Sequence, residues 1–434
     1  MPVRPHSLLL QSLEVAKRAA AIMLLVACSS PPAAPAQSAN PAETWSMYRG
    51  DLARDGHPPT ATLTEQSAAR LAIAWRADLI GAVDGTPAVA GGMVIAGSAG
   101  GTLAAFDART GATVWARHGL GAIAGSPTVA ADRVYVGTLT GHVHARRLSN
   151  GDGIWDWHAP PNVNVWASPV AYGDLVIAGM ASPYGDNPLV PGRLFGLDAA
   201  TGRERWMMCV RPDCAPGDGV WSTPAVDASG RAFVGVGNPE DGLLAFDPST
   251  GKRTWLASLY PDTDRDLDIG ATPAIFDLRG REVIAQAAVE GLLAVLDAAT
   301  GDVVWSRDVV KGSAVHGLIA SPAYDGRLLY VGSASPPTGM FALDPSDGTV
   351  AWRRETDQPV YSAPAVGNGV VVFGSGAVFG DLHSGSILAL STADGHALWS
   401  YDTHSAVRSG PALAGDLVVA GDHAGELIAF RPAG

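Results

Sequence analysis

Three short stretches carry side chains whose types and spacing could do chemistry. In "GVGNPEDG" (235–242), Asn238, Pro239 and Glu240 either close an ordinary tight turn or border a cofactor site. Trp221 in "GVWSTPAVD" (219–227) offers a flat aromatic face, or fills space beneath a loop. Asp266 and Asp268 in "DRDLDIGATP" (264–273) could accept a proton, or belong with Asp262 and Asp264 to a solvated acidic loop. No rival constellation competes, because the chain has no G-x-S-x-G, HExxH or Walker A pattern. The eleven histidines are scattered, and His316 and His404 have no partner legible in the sequence.

Residues so far apart need a scaffold to bring them together, and the composition points to strands. With 434 residues, length alone would allow two or three domains, but 52 Gly, 31 Pro and only 16% charged residues favour short strands and many turns. The pattern is a repeat. "FDARTGATVW" (106–115), "LDAATGRERW" (197–206), "FDPSTGKRTW" (246–255) and four similar stretches place a turn Gly four positions before a Trp. The Asp in most copies can bond turn amides, and the Gly supplies positive φ. Upstream of each, a dipeptide such as Thr86-Pro87 or Ser321-Pro322 opens a short apolar run, as expected of an innermost strand, where Pro withholds no ladder donor.

The unit is four strands in 40 to 51 residues, with eight Pro-marked strands against seven complete Trp turns. "LAIAW" (71–75) supplies the missing strand for the C-terminal unit, which closes the ring and leaves no open edge. The fold class expected is therefore all-β: an eight-bladed β-propeller of four-stranded antiparallel blades, closed by pairing the N-terminal strand with the last blade. Trp75, Trp115, Trp155, Trp206, Trp255, Trp305, Trp352 and Trp399 form a structural girdle, leaving Trp45, Trp157, Trp166 and Trp221 outside it. Links between second and third strands, and links between blades, share one face, and the long insertions (180–192, 207–220, 256–270, 306–320, 375–385) all fall there.

On these turns, on the opening "WSMYRGDLARDG" (45–56) and on the three stretches above, the chain resembles the quinoprotein alcohol dehydrogenases and the wider set of PQQ-like propellers, with the polyvinyl-alcohol-dehydrogenase-like branch nearest. The resemblance implies PQQ and calcium as cofactors, without haem, since C-x-x-C-H is absent. It implies Trp221 as the floor beneath the quinone, Asn238 as a calcium ligand, and Asp266 as general base and metal neighbour with Asp268 behind it. Two features depart from the family pattern: Asp186 is present but no Glu in the blade-three loop, and Val289 stands where an Arg or Lys is expected. A second resemblance, in size, anchor and blade count, is to the outer-membrane barrel-assembly lipoproteins, which dock partners. A small alcohol and a protein partner are the two occupants these resemblances imply.

The chain ends and charge add a location. Residues 1–27 read as a signal peptide, with Lys17-Arg18 before "AAAIMLLVA", and "LVAC" resembles a lipoprotein box with Cys28 as the lipidated residue. Residues 28–44 form a Pro/Ala/Ser tether and 45–434 the propeller, implying a monomer anchored on the periplasmic face of a bacterial membrane, the outer one being expected. Cys209 and Cys214 are expected to close a small disulfide loop in that compartment. The formal charge of −13, without a basic patch, argues against nucleic acid as a partner.

Overall fold

The computed structural model describes residues 44–217, 219–261 and 267–434; Cys28, the signal and tether segments up to residue 43, and Asp266 lie outside them. Eight four-stranded antiparallel sheets succeed one another along the chain. Blade one is built from Ala88–Ala90, Met93–Gly97, Leu103–Asp107 and Thr113–Arg117, and blade seven runs from Ala365–Gly367 to Ala397–Asp402. The last blade has three strands from the C-terminus, and its outer strand is Leu71–Asp78, paired from Leu71↔Pro432 to Asp78↔Glu426. The ring is thus closed by non-covalent pairing of the two ends of the propeller. The repeat translates directly into this architecture: alternating apolar residues fill both faces of the middle strands, which pack between neighbouring blades.

Seams between blades are set by the tryptophans. Each ring reaches across to the turn glycine of the next blade, as Trp115 does to Gly151 and Trp206 to Gly251. At six seams the indole N–H also donates to a carbonyl there, for instance Trp155 Nε1 to Ala199 O at 3.0 Å and Trp305 Nε1 to Pro345 O at 2.8 Å. Trp399 differs because, in the blade it faces, no turn joins the third strand, Glu426–Pro432, to the outer strand, Leu71–Asp78. Its ring packs instead on Phe430, with centroids 4.9 Å apart.

The axis is occupied by the segment before the first blade. Backbone bonds tie Trp45 to Val89, Ser46 to Val129, Leu52 to Val226, Ala53 to Ile275, Asp55 to Tyr324 and Gly56 to Val366, so one strip of chain satisfies the inner edges of six blades. Two guanidinium groups are buried within it. Arg49 donates to Pro322 O at 2.8 Å and to Pro364 O, while Arg54 donates to Pro224 O at 3.2 Å and to Tyr48 O. These prolines are the ones that mark innermost strands, and their carbonyls are the acceptors that hold the plug. Burial lowers the pKa of both arginines, that of Arg54 to about 10. Burial first, and the neighbouring Asp51 carboxylate second, push the Asp55 carboxyl up to about 7.

Two outcomes follow. Gly251→Ala, at φ +69 with Trp206 2.4 Å from the added Cβ, is expected to lower the urea midpoint more than Gly173→Ala, at φ +59 with nothing within 4 Å; the difference should amount to about 1–3 kcal/mol. Asp55 has a folded pKa of about 7 against an ordinary 3.8, so the stability its neutral form supports is complete below about 4 and lost as pH rises through about 7. Unfolding free energies of the wild type and Asp55→Asn from urea titrations should therefore diverge between those pH values, the variant holding its stability as pH rises, by about 4 kcal/mol at most.

Candidate functional site

Above the plug the axis is layered. A ring of hydroxyl-to-amide bonds links successive Pro-marked strands: Ser126 N to Ser168 Oγ at 2.9 Å, Ser168 N to Thr223 Oγ1 at 3.0 Å, Thr223 N to Thr272 Oγ1 at 3.0 Å and Thr272 N to Ser321 Oγ at 2.9 Å. Ser126, Ser168, Thr223 and Thr272 line a polar cavity of about 140 Å³ that is also lined by the Asp84–Arg408 ion pair, 3.0 Å apart. Trp166 and Trp221 line this cavity from one side and a larger one, about 270 Å³, from the other, so they form the floor between axis and loop face.

The larger cavity gathers most of the residues singled out from sequence. Trp221, Asn238 and Asp268 line it, together with Asp186 and Val289. Asp268 is the clamp: Oδ2 accepts from Trp221 Nε1 at 3.1 Å and Oδ1 from the Asn238 backbone N–H at 2.9 Å. Both close approaches require glycine. A Cβ at Gly237 would lie 2.4 Å from Asp268 Oδ1, and one at Gly270 would lie 1.9 Å from the Trp221 ring.

Asn238 is turned toward a residue that sequence reasoning passed over. Oriented to satisfy its neighbours, its amide nitrogen donates to both carboxylate oxygens of Asp241, at 2.9 and 3.0 Å. Asp241 is buried at the end of the same turn, with a left-handed φ of 38°. Its signal was present only as an acid three positions after an Asn, which also describes many surface turns. Nearby, the Tyr260 hydroxyl donates to Leu267 O, and burial, then Asp241, Asp268 and Glu290, push its pKa well above the usual phenol value.

The roof comes from opposite sides of the ring. Tyr184, from the blade-three insertion, and Phe379, from the blade-seven insertion, bring their ring centroids within 6.4 Å. They remain 72% and 50% exposed, so this aromatic contact over the axis is open to solvent. Trp166 donates through Nε1 to Ser182 O at 3.2 Å, which fastens the base of the blade-three loop to the floor. Cys209 and Cys214 are paired as a disulfide, with Cα atoms 5.3 Å apart. His316 approaches Ser313 Oγ at 3.4 Å and His404 approaches Asp402 at 3.2 Å; neither lines the cavity.

PQQ is a flat tricarboxylate, and the cavity can be compared with it. Among the described residues the lining contains two carboxylates, Asp186 and Asp268, and no Lys or Arg. The Asn238 amide faces Asp241, Asp268 uses both oxygens on protein donors, and no group of three or more His, Cys, Asp or Glu among the described residues is arranged to hold a metal. The described lining therefore has an aromatic floor, and its two carboxylates without a Lys or Arg do not suit a tricarboxylate.

Comparisons with known proteins agree on the architecture. The chain matches the family described as outer membrane protein assembly factor BamB over residues 61–213, 209–336 and 289–434. Among solved structures, quinohemoprotein alcohol dehydrogenase from Comamonas testosteroni matches with a TM-score of 0.78 and 18% identity, over 90% of this chain and 81% of that one. A europium-containing methanol dehydrogenase matches with 0.77 and 16%, over 90% and 98%. BamB from Moraxella catarrhalis matches with 0.63 and 17%, over 83% and 97%. At these identities the likeness is one of fold. No curated protein matches by sequence.

Removing the clamp has a defined consequence. Asp268→Ala leaves the Trp221 and Asn238 N–H groups without that acceptor and should cost at least about 1–3 kcal/mol in urea unfolding. The near-ultraviolet dichroism of the folded variant should change as the floor indole loosens.

Proposed function

The chain belongs to the family described as outer membrane protein assembly factor BamB, and on that premise we propose that it is a recognition propeller rather than a working quinoprotein dehydrogenase. The single observation that carries this reading is the cavity lining: an aromatic floor retained, with carboxylates and no described cation where a quinone tricarboxylate would sit. The loop face supports it, since Tyr184, Leu189 and Phe379 expose apolar surface there at 72%, 49% and 50%. The proposal includes a lipid anchor at Cys28 and a periplasmic location, supported by "LVAC" and the apolar run before it. No helix among the described residues is long and apolar enough to cross a membrane.

The alternative is oxidation of a small alcohol with PQQ and calcium, favoured by the convergence of Trp221, Asn238 and Asp268 on one cavity. In that case Trp221 would carry the quinone and Asn238 would share the metal with Asp266. Titration of the purified protein with PQQ and calcium separates the two. No absorbance change at micromolar PQQ and no alcohol-dependent dye reduction are expected; stoichiometric binding with dye reduction would overturn the proposal.

A further inference from the structure

The cavity offers an unusual combination to a ligand. Trp166, Trp221 and Tyr184 supply aromatic surface, Asp186 and Asp268 supply negative charge, and among the described residues no cation lines it. Both indole N–H groups are already donated within the protein, to Ser182 O and to Asp268 Oδ2, so these rings present carbon rather than hydrogen-bond donors. An anion would meet like charge and few donors. A neutral apolar ligand would strip water from the exposed Asp186 carboxylate with nothing in return.

Resting on the reading of this cavity as a recognition site, we infer that it binds an organic ammonium group, held by the aromatic faces of Trp166, Trp221 and Tyr184 and by the Asp186 and Asp268 carboxylates. The physics is that of an aromatic cage: a cation over an electron-rich ring gains more as water is excluded, and adjacent carboxylates add attraction. At about 270 Å³ the cavity far exceeds the roughly 10–15 Å³ that one water requires, which is room for an alkylammonium head and part of its stem. The chain's net charge of −13 draws cations toward the molecule. Tyr184 lines the cavity while 72% exposed, so an incoming group displaces little packed structure there.

The chemistry has two sources, a free quaternary amine or the side chain of a Lys in a partner, and calorimetric titration distinguishes them. The probes are choline, its uncharged carbon isostere 3,3-dimethylbutan-1-ol, and an acetylated, amidated Gly-Lys-Gly peptide. Choline or the peptide should bind one-to-one, with the neutral isostere at least about tenfold weaker than choline. Tighter binding of the peptide assigns a partner's Lys, and tighter binding of choline a free amine. Tyr184 and Asp186 are exposed, so their variants should fold. Tyr184→Leu should weaken the better probe about tenfold while Tyr184→Phe restores it, and Asp186→Asn should weaken it severalfold and reduce its salt sensitivity. Equal binding of choline and its isostere, or no saturable binding of either cation, would overturn the inference. If neither cation nor PQQ binds, the ammonium assignment fails alone; if PQQ binds and displaces choline, the recognition reading fails with it.

Discussion

At seven of the eight seams a tryptophan from one blade lies against the turn glycine of the next, so close that a Cβ there would fall within 3 Å of the ring. That contact fixes how far each sheet stands from its neighbour and at what angle, because a large rigid ring fits a backbone only where the side chain has been removed. Repeated around the ring, it delivers the same four-stranded unit in the same orientation eight times. Every link between second and third strands then emerges on one face, and the long insertions of blades three and seven have no option but to meet above the axis. The cavity exists because the seams put its walls there.

The axis poses the opposite difficulty, since inner strand edges leave polar groups that water reaches poorly. One strip of chain, residues 45–56, answers most of it by bonding six blades. Arg49 and Arg54 direct their donors at proline carbonyls, and the desolvation of two cations is the cost of that arrangement. Above the plug, hydroxyls of Ser168, Thr223, Thr272 and Ser321 take the next layer of amides. Trp166 and Trp221 lie between this hydrogen-bonded axis and the loop-face cavity, lining a space on either side.

The ring was legible in the sequence because its determinants are local: a turn Gly, a Trp four positions later and a Pro opening the next strand recur every 40 to 51 residues. Trp399 shows where locality ends, as its sequence context matches the others but the blade it faces lacks the turn. Trp221, Asn238 and Asp268 were found by local motif and do converge. What the motif left open was direction. That Asn238 turns its amide to Asp241 depends on the left-handed backbone of its own turn, and that Asp268 accepts from Trp221 and a backbone N–H depends on residues 30 and 47 positions away. The pairing of Tyr184 with Phe379 was hidden for the same reason, since two unrelated insertions become neighbours only when the ring closes. The role of Arg49 and Arg54 was hidden too, because nothing in a lone Arg announces that it will be buried against prolines.

In this propeller an aromatic floor lies beneath a cavity whose described lining carries two carboxylates and no Lys or Arg. The most direct measurement is a crystal structure grown with PQQ, calcium and choline together, so that the cavity selects among them. A trimethylammonium head is expected between Trp166, Trp221 and Tyr184, within about 6 Å of their ring centroids, with no quinone density. A quinone lying on Trp221 with calcium at Asn238, and choline excluded, would contradict it.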